Sequence, residues 1–303
     1  MLSTEAVTIR LAGVTALDAV FWIGCCTVVV AFGWVRAVQR SGPLTVLRRG
    51  GWPLAAAGLL QGGTTTFFVA AVSTTSVANV VVLLSGAPVA AALIAWWWLG
   101  ERITSRVAVG VGAAVAGSTV VVLGSAGGGG GNLAGDVMTL AAVVCFGATT
   151  TLLRRHPELS RPVVIGLGGL VMVGVGGWNI EPGAMDTRAW VLLVLVGAIT
   201  SPLARVLLAL APRHLPAAQV GLFVPVETVL AIIWALLVFD ERPTPTTLIG
   251  AGIILAGLLV AVLGETGVGP FTRVDGGRRR RATVGTTPPA ASTPHRSPWR
   301  RPR

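Results

Sequence analysis

The chain has 303 residues, of which 53% are hydrophobic and only 12% are charged, and its mean hydropathy is +0.78. So little polar surface cannot cover a water-soluble globule, which excludes a soluble enzyme or binding domain and indicates a membrane protein. The net charge of +11 would suggest nucleic-acid binding in a soluble protein. Here the positions of the arginines explain it as a topology signal, and no nucleic-acid partner is expected.

Nine continuous apolar stretches follow one another along the chain, each about as long as a helix that crosses a hydrocarbon core. Leu, Ala and Val fill them without polar–apolar alternation, which argues against a β-barrel. We therefore predict an all-α membrane protein, a polytopic helix bundle, with helices at 14–35, 52–72, 77–99, 106–124, 133–153, 162–179, 189–210, 216–239 and 246–263.

The arginines predict how these helices are oriented. The chain has no lysine, and most arginines outside the C-terminal tail fall in alternate loops between the stretches. Only Arg10, Arg188 and Arg242 lie in loops of the opposite side. Because arginine-rich loops stay in the cytoplasm, we expect a multi-pass protein of the plasma (inner) membrane. Its C-terminus is expected inside and, for nine helices, its N-terminus outside.

An internal repeat is the most specific feature of the sequence. Residues 101–124 recur at 241–264 with eleven identities in twenty-four positions and no gap. Five helices separate the copies, so one copy enters the membrane inverted relative to the other, as in inverted-repeat secondary transporters. Small residues in each copy allow close approach of helix backbones in lipid: Gly110, Gly112, Ala116 and Gly117, and their counterparts Gly250, Gly252, Ala256 and Gly257.

The repeat divides the chain into four segments. A first repeat with four helices occupies 1–126, and a glycine-rich external linker occupies 127–132. A second repeat with five helices occupies 133–264. The Arg/Pro-rich remainder at 265–303 is expected to be a disordered cytoplasmic tail.

Several motifs in combination resemble the drug/metabolite transporter superfamily, specifically its EamA-type members. They are Thr75-Ser76-Val77-Ala78-Asn79, Pro88 and Leu99-Gly100-Glu101-Arg102-Ile103-Thr104 in the first half, and Glu227-Thr228-Val229-Leu230, Trp234 and Asp240-Glu241-Arg242-Pro243 in the second. The resemblance implies ten helices, five per half, with a cavity between the second, third, seventh and eighth stretches. Residues 14–35 match the family's second helix, so its first helix is expected to be missing, and Ile23–Thr27 lack the arginine often found there.

Ionisable residues inside the stretches identify candidate sites, because each costs ~2.5–3.5 kcal/mol on insertion scales. Glu227 lies about halfway along its stretch and could carry a coupling proton if burial disfavours its charged form. The alternative is a hydrogen-bonded glutamate that packs between helices. Arg205 is near a helix end and can extend to the headgroups.

Polar residues of the same four stretches extend the candidate site. Asn79 and Gln219 are large amides that need partners, whereas serine and threonine often bond their own helix backbone. The candidate substrate-binding residues are Gln61, Thr65, Asn79, Ser85, Thr200, Gln219 and Glu227. Histidine and cysteine lack metal-ligand spacing, so neither a metal nor a cofactor is expected.

These observations together predict a secondary transporter and not an enzyme. We expect an exporter of small organic metabolites or drugs that works by alternating access in the lipid bilayer. Its energy source would be an ion gradient, such as a proton gradient, or the substrate's own gradient. The alternative is a non-transporting membrane scaffold or a decayed relative. Oligomeric state is left open, a homodimer included.

The arginine asymmetry generates a topology prediction. A reporter that is active only in the cytoplasm should work when fused after Arg303 or within 154–161, and should be silent within 127–131 or 181–186. Reporter activity in the glycine-rich linker would contradict the predicted orientation.

Overall fold

A computed structural model describes residues 2–38, 43–100, 104–127, 131–178, 185–204 and 217–263. Within these ranges all regular structure is helical, with no strand. The helices are α1 (Leu2–Leu11), α2 (Ala16–Val38), α3 (Pro43–Thr74), α4 (Val77–Leu84), α5 (Ala87–Leu99), α6 (Ser105–Ala126), α7 (Leu133–Arg155), α8 (Arg161–Gly176), α9 (Thr187–Val194, continued by a π-helical turn at Leu195–Thr200), α10 (Ala217–Phe239) and α11 (Pro245–Leu263).

Within the described residues, every predicted apolar stretch overlaps a helix. Six described helical segments are long and apolar enough to span a membrane, and three shorter apolar helices account for the other stretches: Arg161–Gly176, Val226–Phe239 and Pro245–Ala261. Large apolar side chains such as Trp97, Val29 and Leu237 are at least 70% exposed, as expected for a surface that lipid covers. The predicted all-α polytopic bundle with an internal repeat is confirmed.

The structure differs from the sequence prediction at the N-terminus. The short helix α1 precedes the first predicted stretch, and its ten residues extend about 15 Å at the α-helical rise. Ala6, Val7 and Ile9 are buried against the rest of the bundle, and α1 packs on α10 and α3. The first repeat therefore has a short helix ahead of the four that the sequence predicts.

Two breaks interrupt the helices of the first repeat. The third stretch is divided at Ser85–Gly86, and Pro88 lies in the first turn of α5, where its missing N–H is not needed. In α3, Gly51 has φ of 55° and divides the helix just before Pro53, a conformation that favours glycine.

The two glycine-rich helices of the repeat, α6 and α11, pack directly against each other. A Cβ on Gly117 would lie 2.7 Å from the carbonyl oxygen of Gly250, and one on Gly250 would lie 2.7 Å from that of Gly117. A Cβ on Gly110 would lie 3.1 Å from the carbonyl oxygen of Gly257. The helices therefore meet backbone to backbone, which only glycine permits.

These contacts follow the symmetry that relates the two copies of the repeat. In sequence, Gly110 corresponds to Gly250 and Gly117 to Gly257. In space, Gly110 meets Gly257 and Gly117 meets Gly250. Each glycine therefore contacts the residue that corresponds to the other glycine of its own helix. Such an exchange is what two antiparallel helices related by a twofold axis produce. Gly112 and its counterpart Gly252 both face open space.

The glycine contacts generate a stability prediction with a matched control. Gly117→Ala places a methyl group against the backbone of Gly250 and against Ile254, so overpacking should cost about 1–3 kcal/mol. Gly112→Ala meets no atom within 4 Å and should be neutral or slightly stabilising. Thermal unfolding in mild detergent, followed by size exclusion, measures the difference. Equal stability of the two variants would contradict the packing.

Candidate functional site: a polar cluster at one end of the bundle

Several chain segments meet at one end of the bundle, which we call the linker end. It is formed by the end of α1, the α3–α4 junction, the end of α6, the start of α7 with residues 131–132, and the α10–α11 loop. The sequence predicts this end to be external. At the opposite end the Arg155 guanidinium lies 5.7 Å from the Trp98 ring centroid, joining the ends of α7 and α5.

An ion pair connects α1 to the α10–α11 loop. Arg10 Nη1 lies 2.6 Å from Glu241 Oε1, and their side chains are 35% and 18% exposed. Arg10 Nη1 also donates to the Thr75 carbonyl at 3.1 Å, and its guanidinium lies 5.4 Å from the Phe239 ring centroid. Glu241 is part of the duplicated Glu-Arg motif.

Glu241 also binds the beginning of α4. Its Oε2 accepts a hydrogen bond from the backbone N–H of Val77 at 3.1 Å, and Val77 is the first residue of that helix. A carboxylate is favourable there because the helix dipole and the free N–H groups attract negative charge. One side chain thus joins α1, α4 and the α10–α11 loop.

A second carboxylate, Asp136, is fully buried beside this ion pair. It lies in the first turn of α7 with 0% exposure. Its Oδ1 accepts from the Thr75 hydroxyl at 3.0 Å, and both carboxylate oxygens lie 3.4 Å from Asn79 Nδ2. Thr75 Oγ1 in turn accepts from the backbone N–H of Asn132 at 3.0 Å.

Asn79 connects four helices through its side-chain amide. Its Nδ2 donates to Ser125 Oγ on α6 at 2.9 Å and faces Asp136 on α7, while its Oδ1 accepts from Thr247 Oγ1 on α11 at 2.6 Å. Asn79 itself belongs to α4 and is only 3% exposed. We call Thr75, Asn79, Ser125, Asp136 and Thr247 the polar hub.

A cavity of about 330 Å³ lies at the linker end, next to the hub and the ion pair. Its walls are polar: hydroxyl groups, the Asn132 amide and the charges of Arg10, Glu241 and the exposed Arg242 dominate, and the apolar contribution comes from small residues and one proline. The lining residues are Arg10, Ser73, Thr74, Thr75, Ser76, Ala78, Gly131, Asn132, Glu241, Arg242, Pro243 and Thr244.

Of the sequence-predicted site residues whose side chains the structure describes, Asn79 alone belongs to the hub. Three others bond their own helix backbone, as the alternative interpretation allows: Ser85 Oγ donates to Val82 O at 2.6 Å, Thr65 Oγ1 to Gln61 O at 3.3 Å and Thr200 Oγ1 to Leu195 O at 3.2 Å. Gln61 and Glu227 are half-buried on α3 and α10. The Gln219 side chain and all of Arg205 lie outside the described residues.

Asp136, the central acceptor of the hub, was not predicted from the sequence. A signal was present, because Asp136 is the sole acidic residue in the stretch 133–153 and follows Asn132, a helix N-cap residue. Its position near the end of the stretch made an exposed location the simpler expectation. Burial came from the arrangement of the other helices around it.

Two buried polar atoms in the described part of the chain have no hydrogen-bond partner. They are Nε1 of Trp22 on α2 and Oγ1 of Thr66 on α3. Trp22 packs edge-on against Trp190 with ring centroids 4.3 Å apart. A buried donor left unpaired costs about 1–3 kcal/mol.

The comparisons with known proteins agree with the repeat. A family model described as "EamA-like transporter family" matches residues 3–123 and 133–263. A solved structure described as "Crystal structure of protein" is 22% identical with a TM-score of 0.59, and the match covers 86% of this chain and 92% of that chain. That likeness shows the fold alone. A search of curated proteins found no match.

The hub generates a prediction for Asp136. Asp136→Ala leaves the buried donors of Thr75 and Asn79 without their acceptor, so it should lower the free energy of unfolding by about 2–3 kcal/mol. Asp186→Ala, which removes an exposed cap that bonds Thr187 N at 2.7 Å, should cost about 1 kcal/mol. Denaturant titration in detergent compares them, and an Asp136→Ala variant as stable as Asp186→Ala would contradict the hub.

Proposed function

Because the chain belongs to the EamA-like transporter family, we propose that it is a secondary transporter that exports small organic metabolites or drugs across the plasma membrane by alternating access. The observation that carries this proposal is the exchange of equivalent glycine contacts between α6 and α11. Two halves that are related by an approximate twofold axis can adopt conformations open to either side by exchanging the roles of the halves.

The family resemblance is the support for proposing export and small organic substrates. For the substrate path we propose the polar residues of the second, third, seventh and eighth stretches: Gln61, Thr65, Asn79, Ser85, Thr200, Gln219 and Glu227.

Glu227 is the proposed proton-coupling residue. It lies near the middle of α10, is half-buried, and adjoins Thr228, which is 2% exposed. A charged carboxylate at such a depth costs free energy, so Glu227 needs either a functional role or a partner that stabilises it. Transport coupled to a proton gradient needs a group of this kind, and the chain shows no nucleotide-binding motif that would supply another energy source.

The Glu227 proposal generates a transport prediction. A substrate is first identified by screening cells that express the protein for resistance to, or export of, a panel of metabolites and drugs. In vesicles with an imposed proton gradient, Glu227→Gln should then reduce gradient-driven flux at least about tenfold, because the amide cannot release a proton. Membrane insertion should be unchanged, since glutamine resembles the protonated acid in size.

Glu158→Gln is the matched control for this experiment. Glu158 is exposed in the α7–α8 loop, where a backbone hydrogen bond and His156 Nδ1 at 2.9 Å lower the pKa of its carboxyl group. Its substitution should leave flux intact. Gradient-driven flux that survives Glu227→Gln would remove the coupling role, and absence of flux across the whole panel would favour the non-transporting alternative.

A further inference from the structure

The linker end is closed by contacts that join segments far apart in the chain. The ion pair links Arg10 to Glu241, and the hub links Asn79 to Thr247, which follows it by 168 positions. A rigid scaffold does not need its longest-range contacts to be polar. In lipid, polar contacts between helices contribute only about 0.6–2 kcal/mol each, so a small set of them can hold two helices together and still release them.

The helices that meet in the hub differ in the contacts that hold them to one another. α6 and α11 share the glycine contacts described above, which extend over two turns of each helix. By contrast, the described polar contacts of α4 with this pair are the two hydrogen bonds of Asn79, to Ser125 on α6 and to Thr247 on α11. The contact that can separate is therefore the one between α4 and the α6–α11 pair.

An apolar layer lies one helical turn inward from the hub. Leu83 follows Asn79 by four residues, Val121 precedes Ser125 by four, and Ala251 follows Thr247 by four. All three side chains are buried and belong to one apolar cluster with Val82 and Ile254. The hub thus separates this apolar layer from the polar cavity at the linker end.

We propose that the hub and the Arg10–Glu241 ion pair form the gate of the linker end, and that α4 moves away from α6 and α11 when the gate opens. The polar cavity is the vestibule outside this gate. Asp136 is a positioning residue, since it orients Asn79 and Thr75 through their hydrogen bonds. Glu241 stabilises the closed gate next to α1, because it joins Arg10 to the first N–H of α4. This inference rests on the proposed transport function.

The experiment measures gate opening without a substrate. Ala251→Cys is introduced into a variant whose native cysteines, Cys25, Cys26 and Cys145, are replaced by serine. A membrane-impermeant maleimide is added from the side of the linker end, and the labelling rate is followed. Because Ala251 is 6% exposed in the closed arrangement, labelling should be slow. Val121→Cys is the second reporter, in case the first variant does not fold.

Gate variants should raise that rate. Thr247→Val removes the donor to Asn79 Oδ1 with little change of shape, and Glu241→Gln removes the charge that pairs with Arg10. Each should speed labelling about fivefold, as expected when the closed state loses one polar contact, and the double variant should exceed either. Thr119→Val is the control for the first, because Thr119 is exposed on α6 and bonds its own helix at Val115 O. Glu158→Gln is the control for the second.

The outcomes separate the gate from the transport function. Faster labelling in the gate variants alone supports the gate, even if no substrate is found. Labelling that matches the controls overturns the gate, even if flux is present. Rapid labelling of both reporters in the otherwise unchanged protein also overturns it, because the linker end would then already be open.

Discussion

The close contact between α6 and α11 is the constraint on which the rest of the structure depends. Inside a membrane, apolar side chains gain little free energy when they exchange lipid for protein neighbours. Helices therefore associate through close packing and polar contacts. Glycines at 110, 117, 250 and 257 let the two backbones touch, and this joins the first repeat to the second. A similar pair occurs between α2 and α8, where a Cβ on either Gly24 or Gly169 would lie 3.0 Å from the other's carbonyl oxygen.

With the backbones fixed in this way, the polar residues at the linker end acquire their partners. The end of α6 brings Ser125, and the start of α11 brings Thr247, to the two sides of Asn79. The buried Asp136 then completes the donors and acceptors of the hub. An unpaired polar group in such a place would be expensive, so the hub is stable only in the arrangement that satisfies every member. This makes it sensitive to a movement of α4.

Most of the fold could be predicted from the sequence, but less of the candidate site could. Helix positions followed from continuous apolar runs, and the relation between the halves followed from the repeated Glu-Arg and glycine positions. The segment α4–α5, Val77–Leu99, has the same length as α10, Ala217–Phe239, and the two are offset by 140 residues, which is the spacing of the repeat. The position of the break at Ser85–Gly86 and the helix α1 were not predicted, because tertiary packing rather than hydropathy determines both.

The site was harder to predict because its contacts join distant segments. Nothing in the local sequence pairs Arg10 with Glu241 or places Thr247 against Asn79, since those contacts depend on how α1, α4 and α11 are arranged in space. Asn79 was identified because a large amide in an apolar stretch needs partners. Its partners were not predictable from the sequence, and Asp136 was overlooked for the same reason.

In the proposed mechanism, the two ends of the bundle open in turn. Electron-spin distance measurements between labels at residues 132 and 240 report on the linker end, and labels at residues 105 and 157 report on the opposite end; all four positions are exposed. Conditions that lengthen one distance should shorten the other, because the halves exchange roles. Distances that stay fixed under every ion gradient and substrate, or that lengthen together, would contradict it.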